Sequence, residues 1–248
     1  QVQEEVMDTI DPFKPNYPAP TAMRPLLGLT VLVIEDSRFA CEAVRLLCLR
    51  SGARIRRADT LRAARRHLQV YRPSVVIIDI GLPDGNGSDL IRELSIASPR
   101  PEVILGTSGD DNSEAIAMEA GADGFLAKPI TSLGAFQDRI LSNLPDDQRP
   151  MGPRPVAQDV VEPDLIAYRD DMAHVADVLD SAKGAADTHV LDYIAQFLGG
   201  VARSASDDDL VLATDALAAK RARGHAVPSE LATVAGLVQA RLAQKIAI

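Results

Sequence analysis

A five-stranded, doubly wound α/β domain followed by an all-helical domain is the architecture this sequence predicts. Three observations carry the prediction. Between residues 29 and 144, short runs of β-branched and aliphatic residues alternate five times with helical patterns, and parallel strands need such crossovers. Each strand run stops abruptly at polar or turn-forming residues. After a Pro-rich stretch, the chain becomes Ala-rich, with apolar residues three or four apart to its end.

Residues 1–28 read as an extended tail, because Pro12, Pro15, Pro18, Pro20 and Pro25 break any regular element. Ile10, Phe13 and Tyr17 are the residues by which it would dock. The first strand, 30–34, ends in Glu35-Asp36-Ser37. A helix carrying Phe39, Ala43, Leu46 and Leu47 follows, closed by Gly52. Residues 53–58 form a polar, Arg-rich strand suited to a sheet edge. Asp59 or Thr60 caps a helix that runs to Val70 and is stopped by Pro73. Val75-Val76-Ile77-Ile78 is a continuous apolar run leading into Asp79, so this strand is buried on both faces and central. A helix over 88–97 ends at Pro99 and Pro101. The fourth strand, 102–106, leads into Thr107-Ser108-Gly109. Asn112 or Ser113 caps a helix to 120, and a fifth strand, 124–127, ends in Lys128-Pro129. A helix over 132–144 completes the domain.

Residues 145–163 read as a semi-rigid, solvated linker with five prolines. Four amphipathic helices follow over 164–248, forming a bundle or two stacked hairpins. Asp207-Asp208-Asp209 reads as a solvated acidic helix start. Gly199-Gly200 predicts a kink or a close helix crossing. A lone pair of such helices buries little area, which favours self-association.

The chain has 248 residues, a formal net charge of -9, 46% hydrophobic residues and no Trp. Residues 159–248 hold 14 Asp/Glu against 8 Lys/Arg, a net of −6. Phosphate contacts dominate affinity for DNA, so this balance argues against a DNA-binding output. Cys41 and Cys48 lie two turns apart on one helix face, too far for a mutual disulfide, and fit buried thiols in a reducing compartment. No apolar run approaches the ~18 residues of a membrane span, and the start shows no basic-then-apolar signal pattern. The expectation is a soluble cytoplasmic protein with no membrane partner.

Strand ends are where an open α/β sheet places its chemistry. Here they carry Glu35 and Asp36, Asp79, Thr107 or Ser108, and Lys128. Three crowded carboxylates repel unless a cation sits among them, and hard oxygen donors suit Mg²⁺. Lys128 adds a point charge and Thr107 a hydroxyl. Together they describe a site for phosphoryl transfer onto Asp79, driven by positioning and charge neutralisation.

Residues 29–144 resemble the receiver domain of two-component response regulators. The marks are Glu35-Asp36, Asp79-Ile80-Gly81-Leu82-Pro83-Asp84-Gly85-Asn86-Gly87, Thr107, Gly121-Ala122-Asp123-Gly124 and Lys128-Pro129, in that order. The resemblance implies a flavodoxin-like sheet of order 2-1-3-4-5. It implies that Asp79 accepts a phosphoryl group from a histidine kinase or phosphotransfer protein. Asp36, Asp79 and the Gly81 carbonyl would ligate Mg²⁺, with Glu35 acting through water. Lys128 and Thr107 would hold the phosphoryl group, Phe125 would be the switch aromatic, and the Lys128-Pro129 bond would be cis. Such a protein is not an enzyme beyond its own phosphorylation and dephosphorylation. In one departure, Gly121 lies one residue nearer to Thr107 than the family pattern, so Ser108 competes with Thr107 for the switch role.

The expected output is a helical protein-interaction or dimerisation domain with a downstream protein partner, switched through the fourth helix, fifth strand and fifth helix. Two alternatives stand beside it. One is a phosphorelay protein whose bundle carries a phosphoacceptor at His174 or His189; the other is a pseudo-receiver scaffold that is never phosphorylated.

Overall fold

A computed structural model describes residues 19–110, 112–152, 157–181 and 188–244. Five strands form one parallel sheet: β1 (Thr30–Ile34), β2 (Arg54–Ala58), β3 (Val75–Asp79), β4 (Val103–Ser108) and β5 (Gly124–Ala127), in the order β2-β1-β3-β4-β5. Between them run α1 (Arg38–Ser51), α2 (Leu61–Val70), α3 (Gly87–Ser95) and α4 (Ser113–Glu119), and α5 (Leu133–Leu141) follows β5. A two-residue hairpin, Gly81–Leu82 with Gly85–Asn86, fills the turn after β3.

Successive residues of a strand face opposite sides, and the core divides accordingly. Val31, Val33, Val75, Ile77, Val103 and Leu105 pack under α1 and α5. Leu32, Ile34, Val76, Ile78 and Ile104 pack under α2, α3 and α4. Each fully buried Val, Leu or Ile contributes about 1.5–3 kcal/mol of transfer free energy. β3 is buried at all five positions, whereas β2 exposes Arg54, Arg56 and Arg57, as an edge strand must. Local caps fix the helix starts: the side chains of Ser37, Thr60, Asn86 and Ser132 each accept a bond from a first-turn amide. Gly52 closes α1 in the left-handed region at φ 86.

Two expectations about these segments change. The tail does not extend to residue 28: Leu26 is fully buried in the core and its amide bonds the Ser51 carbonyl. Ile10, Phe13 and Tyr17 lie outside the described residues. The end of the linker is docked rather than solvated, because Val161 enters the α/β core while its amide bonds the Thr131 carbonyl and Ser132 pairs with Val160. The first helix after it begins at Leu165.

The C-terminal helices are α6 (Leu165–Ser181), α7 (Thr188–Ser204), α8 (Asp208–Ala222) and α9 (Pro228–Ala243). α6 packs on α7 and α9, and α8 packs on α7 and α9, which closes a four-helix ring rather than two separate hairpins. Met172, Val175, Ile194, Leu198, Leu210, Leu217, Val234 and Val238 form its core. Asp207 is more than a solvated start. It caps α8 through the Leu210 amide, accepts from the Tyr168 hydroxyl of α6 at 2.7 Å, and forms a two-point ion pair with Arg241 of α9.

Candidate functional site

Strand register decides which side chains meet. Ile34 pairs with Ile78, so Glu35 emerges level with Asp79. Asp79 pairs with Thr107, and Ser108 pairs with Ala127, so Lys128 emerges beside them. The polar ends of four strands therefore share one edge of the sheet.

Lys128 is the centre of the charge balance. Its Nζ lies 2.6 Å from Glu35 Oε2 and 2.7 Å from Asp79 Oδ2, and all three side chains are buried except for a few per cent of their surface. Burial opposes the lysine's charge, but the carboxylates of Asp79 and Glu35 outweigh it and raise its pKa. Burial also raises Glu35 well above the usual carboxylate range, with Lys128 pulling the other way. Asp36 is pushed up to about 7, first by burial and then by Asp79. One cation does not neutralise three carboxylates. Glu35, Asp36 and Asp79 each offer an oxygen within 4.8 Å of the others, the donor set a small divalent cation takes. Gly81 sits beside them, with its amide donating to Asp79 Oδ1 at 3.2 Å.

The helical bundle lies on this edge. Asp171 of α6, only 2% exposed, caps the start of α1 from outside the domain. It accepts from Ser37 Oγ at 2.8 Å, the Arg38 amide at 2.8 Å and the Phe39 amide at 3.0 Å. Arg38 pairs with Asp170 at 2.7 Å, and Phe39 meets Tyr168 edge-on. From α7, the Tyr193 hydroxyl donates to Asp36 Oδ2 at 3.0 Å. Gln196 rests on Gly81 so closely that a Cβ there would collide with its carboxamide. Gly199 faces Thr214 of α8 inside the bundle, and a Cβ at Gly200 would meet nothing within 4 Å, so neither glycine is what lets α7 approach the receiver. Between the layers lie a cavity of about 20 Å³ lined by Glu35, Asp36, Asp79, Gly81, Lys128 and Gln196 and, on the other side of the Tyr193–Asp36 contact, an open cleft of about 880 Å³.

Residues 31–139 match the family model described as "Response regulator receiver domain". That segment is a response regulator receiver domain. The KDP operon transcriptional regulatory protein KdpE of Escherichia coli is 33% identical over 110 residues, covering 44% of this chain and 48% of that protein. The transcriptional regulatory protein KdpE of Mycobacterium tuberculosis is 34% identical over 100 residues, covering 40% and 44%. The match thus spans about half the length of these curated relatives. Among solved structures, the signal receiver domain of a histidine kinase from Syntrophus aciditrophicus is 25% identical, with TM-score 0.42, over 48% of this chain and 93% of that one.

In the receiver, Asp79, Asp36, Glu35, Gly81 and Lys128 converge as the sequence reading expects. The Lys128-Pro129 bond is cis. Thr107 is adjacent but turned away, since its hydroxyl, 1% exposed, donates to the Leu126 carbonyl at 2.7 Å. Ser108 lines the cavity, with its hydroxyl accepting from the Asp110 amide. Phe125 is buried against Gly106. The bundle packs chiefly on α1 and over the acidic edge. His174 is held by Tyr193, whose hydroxyl lies 3.2 Å from its Nε2, and packs edge-on to Phe197.

Sequence reasoning missed Asp171, Tyr193 and Gln196. Each sits more than 80 residues from Asp79 on a helix that reads as an ordinary amphipathic one. No local motif marks them, because their role arises from docking.

Proposed function

We propose that Asp79 is the phosphoacceptor of this chain and that the docked bundle is what phosphorylation releases. The observation that carries it is the placement of Asp79, held at 2.7 Å by Lys128 within a three-carboxylate cluster and roofed by α7 of the output domain. An oxygen of the Asp79 carboxylate attacks the phosphorus of a phosphohistidine on a histidine kinase or phosphotransfer protein. The P–N bond breaks, the imidazole leaves, and an acyl phosphate forms. Lys128 exchanges its contact with the carboxylate for one with a phosphoryl oxygen. Thr107 turns its hydroxyl from Leu126 to the same group, and Phe125 follows the space it vacates. Asp36, Asp79 and the Gly81 carbonyl would hold Mg²⁺, with Glu35 acting through water; that ion supplies neutralisation of phosphoryl charge. The chain itself is a phosphoacceptor rather than an enzyme acting on other substrates.

A cavity of about 20 Å³ has room for one water but not for a phosphoryl group. Phosphorylation therefore costs the docked arrangement its Tyr193–Asp36 and α7–Gly81 contacts. The bundle lifts, and the face carrying Tyr168, Asp171, Tyr193 and Phe197 becomes available to a downstream protein or a second copy of the chain. The acidic bundle is a protein-binding rather than a DNA-binding output. The free thiols Cys41 and Cys48, buried in the core, support a cytoplasmic setting; no helix among the described residues is long and apolar enough to cross a membrane.

Incubation of the full chain with a small acyl-phosphate donor and Mg²⁺ tests the assignment. Hydroxylamine-labile phosphate should map to Asp79 and vanish in Asp79→Asn. Acid-labile, base-stable phosphate on His174 or His189 instead would move the chemistry to the bundle.

A further inference from the structure

Charge is spread unevenly along this acidic chain. Residues 38–72 carry ten arginines and no lysine, with Glu42 and Asp59 as their only acids, a net of +8 in a chain of formal net charge -9. The fold gathers part of this run into a groove. On α1, Arg38, Glu42 and Arg45 are spaced four and then three residues apart, so they share one face. β2 lies beside that face and supplies Ile55, Arg56 and Arg57. Together they line a cavity of about 150 Å³.

Four guanidinium groups border the cavity, and their partners do not neutralise them. Among the described residues that line it, Glu42 is the one carboxylate, and Arg45 holds it through two contacts of 2.7 Å. Arg38 reaches out of the groove to Asp170 of α6 at 2.7 Å. Among the described residues, the Arg57 guanidinium donates to the Asp36 carbonyl alone, at 3.4 Å, too long for a strong bond. Arg56 has no ion pair and no side-chain hydrogen bond among the described residues. With Glu42 and Asp170 counted, the local balance is +2. Charges on an edge strand guard it against pairing with another chain. That accounts for arginines along β2, but not for arginines that converge on the same groove from α1.

We propose that the groove between α1 and β2 binds a small phosphate-bearing dianion, and that this ligand competes with Asp170 of the bundle for Arg38. Three properties select the ligand. An excess of two positive charges calls for a dianion. The guanidinium fork meets phosphate oxygens two at a time, so a cluster built from arginine alone suits that geometry. The volume equals that of about five waters. It has room for pyrophosphate or a short phosphate ester and is well below the ~300 Å³ at which pockets for drug-sized molecules begin. Competition follows from Arg38, which both borders the cavity and pairs with the bundle. A ligand that draws its guanidinium inward takes it from Asp170, so the anion and the docked α6 weaken each other by the same factor. Binding here does not depend on phosphorylation of Asp79.

Titration calorimetry of the full chain tests this, with inorganic pyrophosphate and glycerol 3-phosphate as separate probes. EDTA is present, so no divalent ion can carry either anion to the three carboxylates around Asp79. Salt is kept at about 0.15 M, which screens diffuse attraction beyond about 8 Å. At least one probe should bind once per chain with a submillimolar Kd, and the tighter of the two identifies the ligand as free or esterified phosphate. Binding of neither overturns the proposal, as does a single-stranded oligonucleotide that binds where both small probes fail. Succinate, a dianion without phosphorus, should bind far more weakly; equal affinity overturns the choice of phosphate. Arg56→Gln combined with Arg57→Gln should weaken binding at least about tenfold. Arg54→Gln combined with Arg66→Gln removes the same charge outside the groove and should leave affinity within about twofold of the parent's. All four side chains are exposed, so both variants keep the core. Equal losses in the two pairs, or many weak equivalents, overturn a built site and leave a diffuse basic surface. Asp170→Asn frees Arg38 and should tighten binding about threefold. Unchanged affinity in that variant overturns the competition with the bundle.

Discussion

Lys128 is the single residue on which the charge balance of the site depends. Among the described residues it is the one cation paired with Glu35 and Asp79, both almost fully buried. Removing one partner of a buried pair leaves the other charge without compensation. Lys128→Met should therefore cost the receiver about 3–5 kcal/mol of stability in the absence of divalent ions. Urea unfolding at neutral pH measures this; an unchanged midpoint would show that solvent, not Lys128, compensates the carboxylates. Thr107 makes a different residue-scale point. Its sequence position suggests the switch role, but its hydroxyl is satisfied by the Leu126 carbonyl. Whether it or Ser108 meets Asp79 turns on a rotamer, which no sequence motif encodes.

At the scale of elements, two acidic residues hold helices together at a distance. Asp171 of α6 caps α1, satisfying amide donors that a helix start leaves open. Asp171→Ala should lower the docking free energy by about 2 kcal/mol, with faster amide exchange at Arg38 and Phe39 as the readout. Protection equal to the parent's would mean that the cap from outside is dispensable. Asp207 ties α6, α8 and α9. Its pKa falls from 3.8 to about 2, chiefly through the Arg241 ion pair, with Tyr168 and the Leu210 amide adding to it against burial. A depressed carboxylate pKa contributes stability that is whole above 3.8 and is lost as pH falls toward 2. The melting temperature of the parent should thus exceed that of Asp207→Asn near pH 5, and the gap should close as the pH approaches 2. A constant gap across that range would assign the effect to packing rather than charge.

At the scale of the whole molecule, the helical bundle lies over the acidic edge of the receiver sheet. Beryllofluoride with Mg²⁺ should raise the radius of gyration of the parent chain in X-ray scattering, and dimers formed by the released face should appear at higher protein concentration. Asp171→Ala should be expanded without the mimic and should take phosphate from a small donor faster than the parent, because its roof is already loosened. A parent chain that binds the mimic without changing shape would show that α7 accommodates the phosphoryl group in place.

The sequence alone determined the strands, their order of chemistry and the composition of the acidic pocket. It could do so because a parallel sheet turns each strand's last residue toward one edge, so Glu35, Asp36, Asp79 and Lys128 meet wherever the strands pair in register. The helices of the bundle were legible too, from apolar spacing and from Gly and Pro at their ends. What only the tertiary structure decided is where the bundle sits. Asp171, Tyr193 and Gln196 are polar positions on amphipathic helices, and such positions read as solvent-facing whether or not a second domain lies against them. Docking of that kind is a matter of surface complementarity across more than a hundred residues of chain, and no local spacing records it.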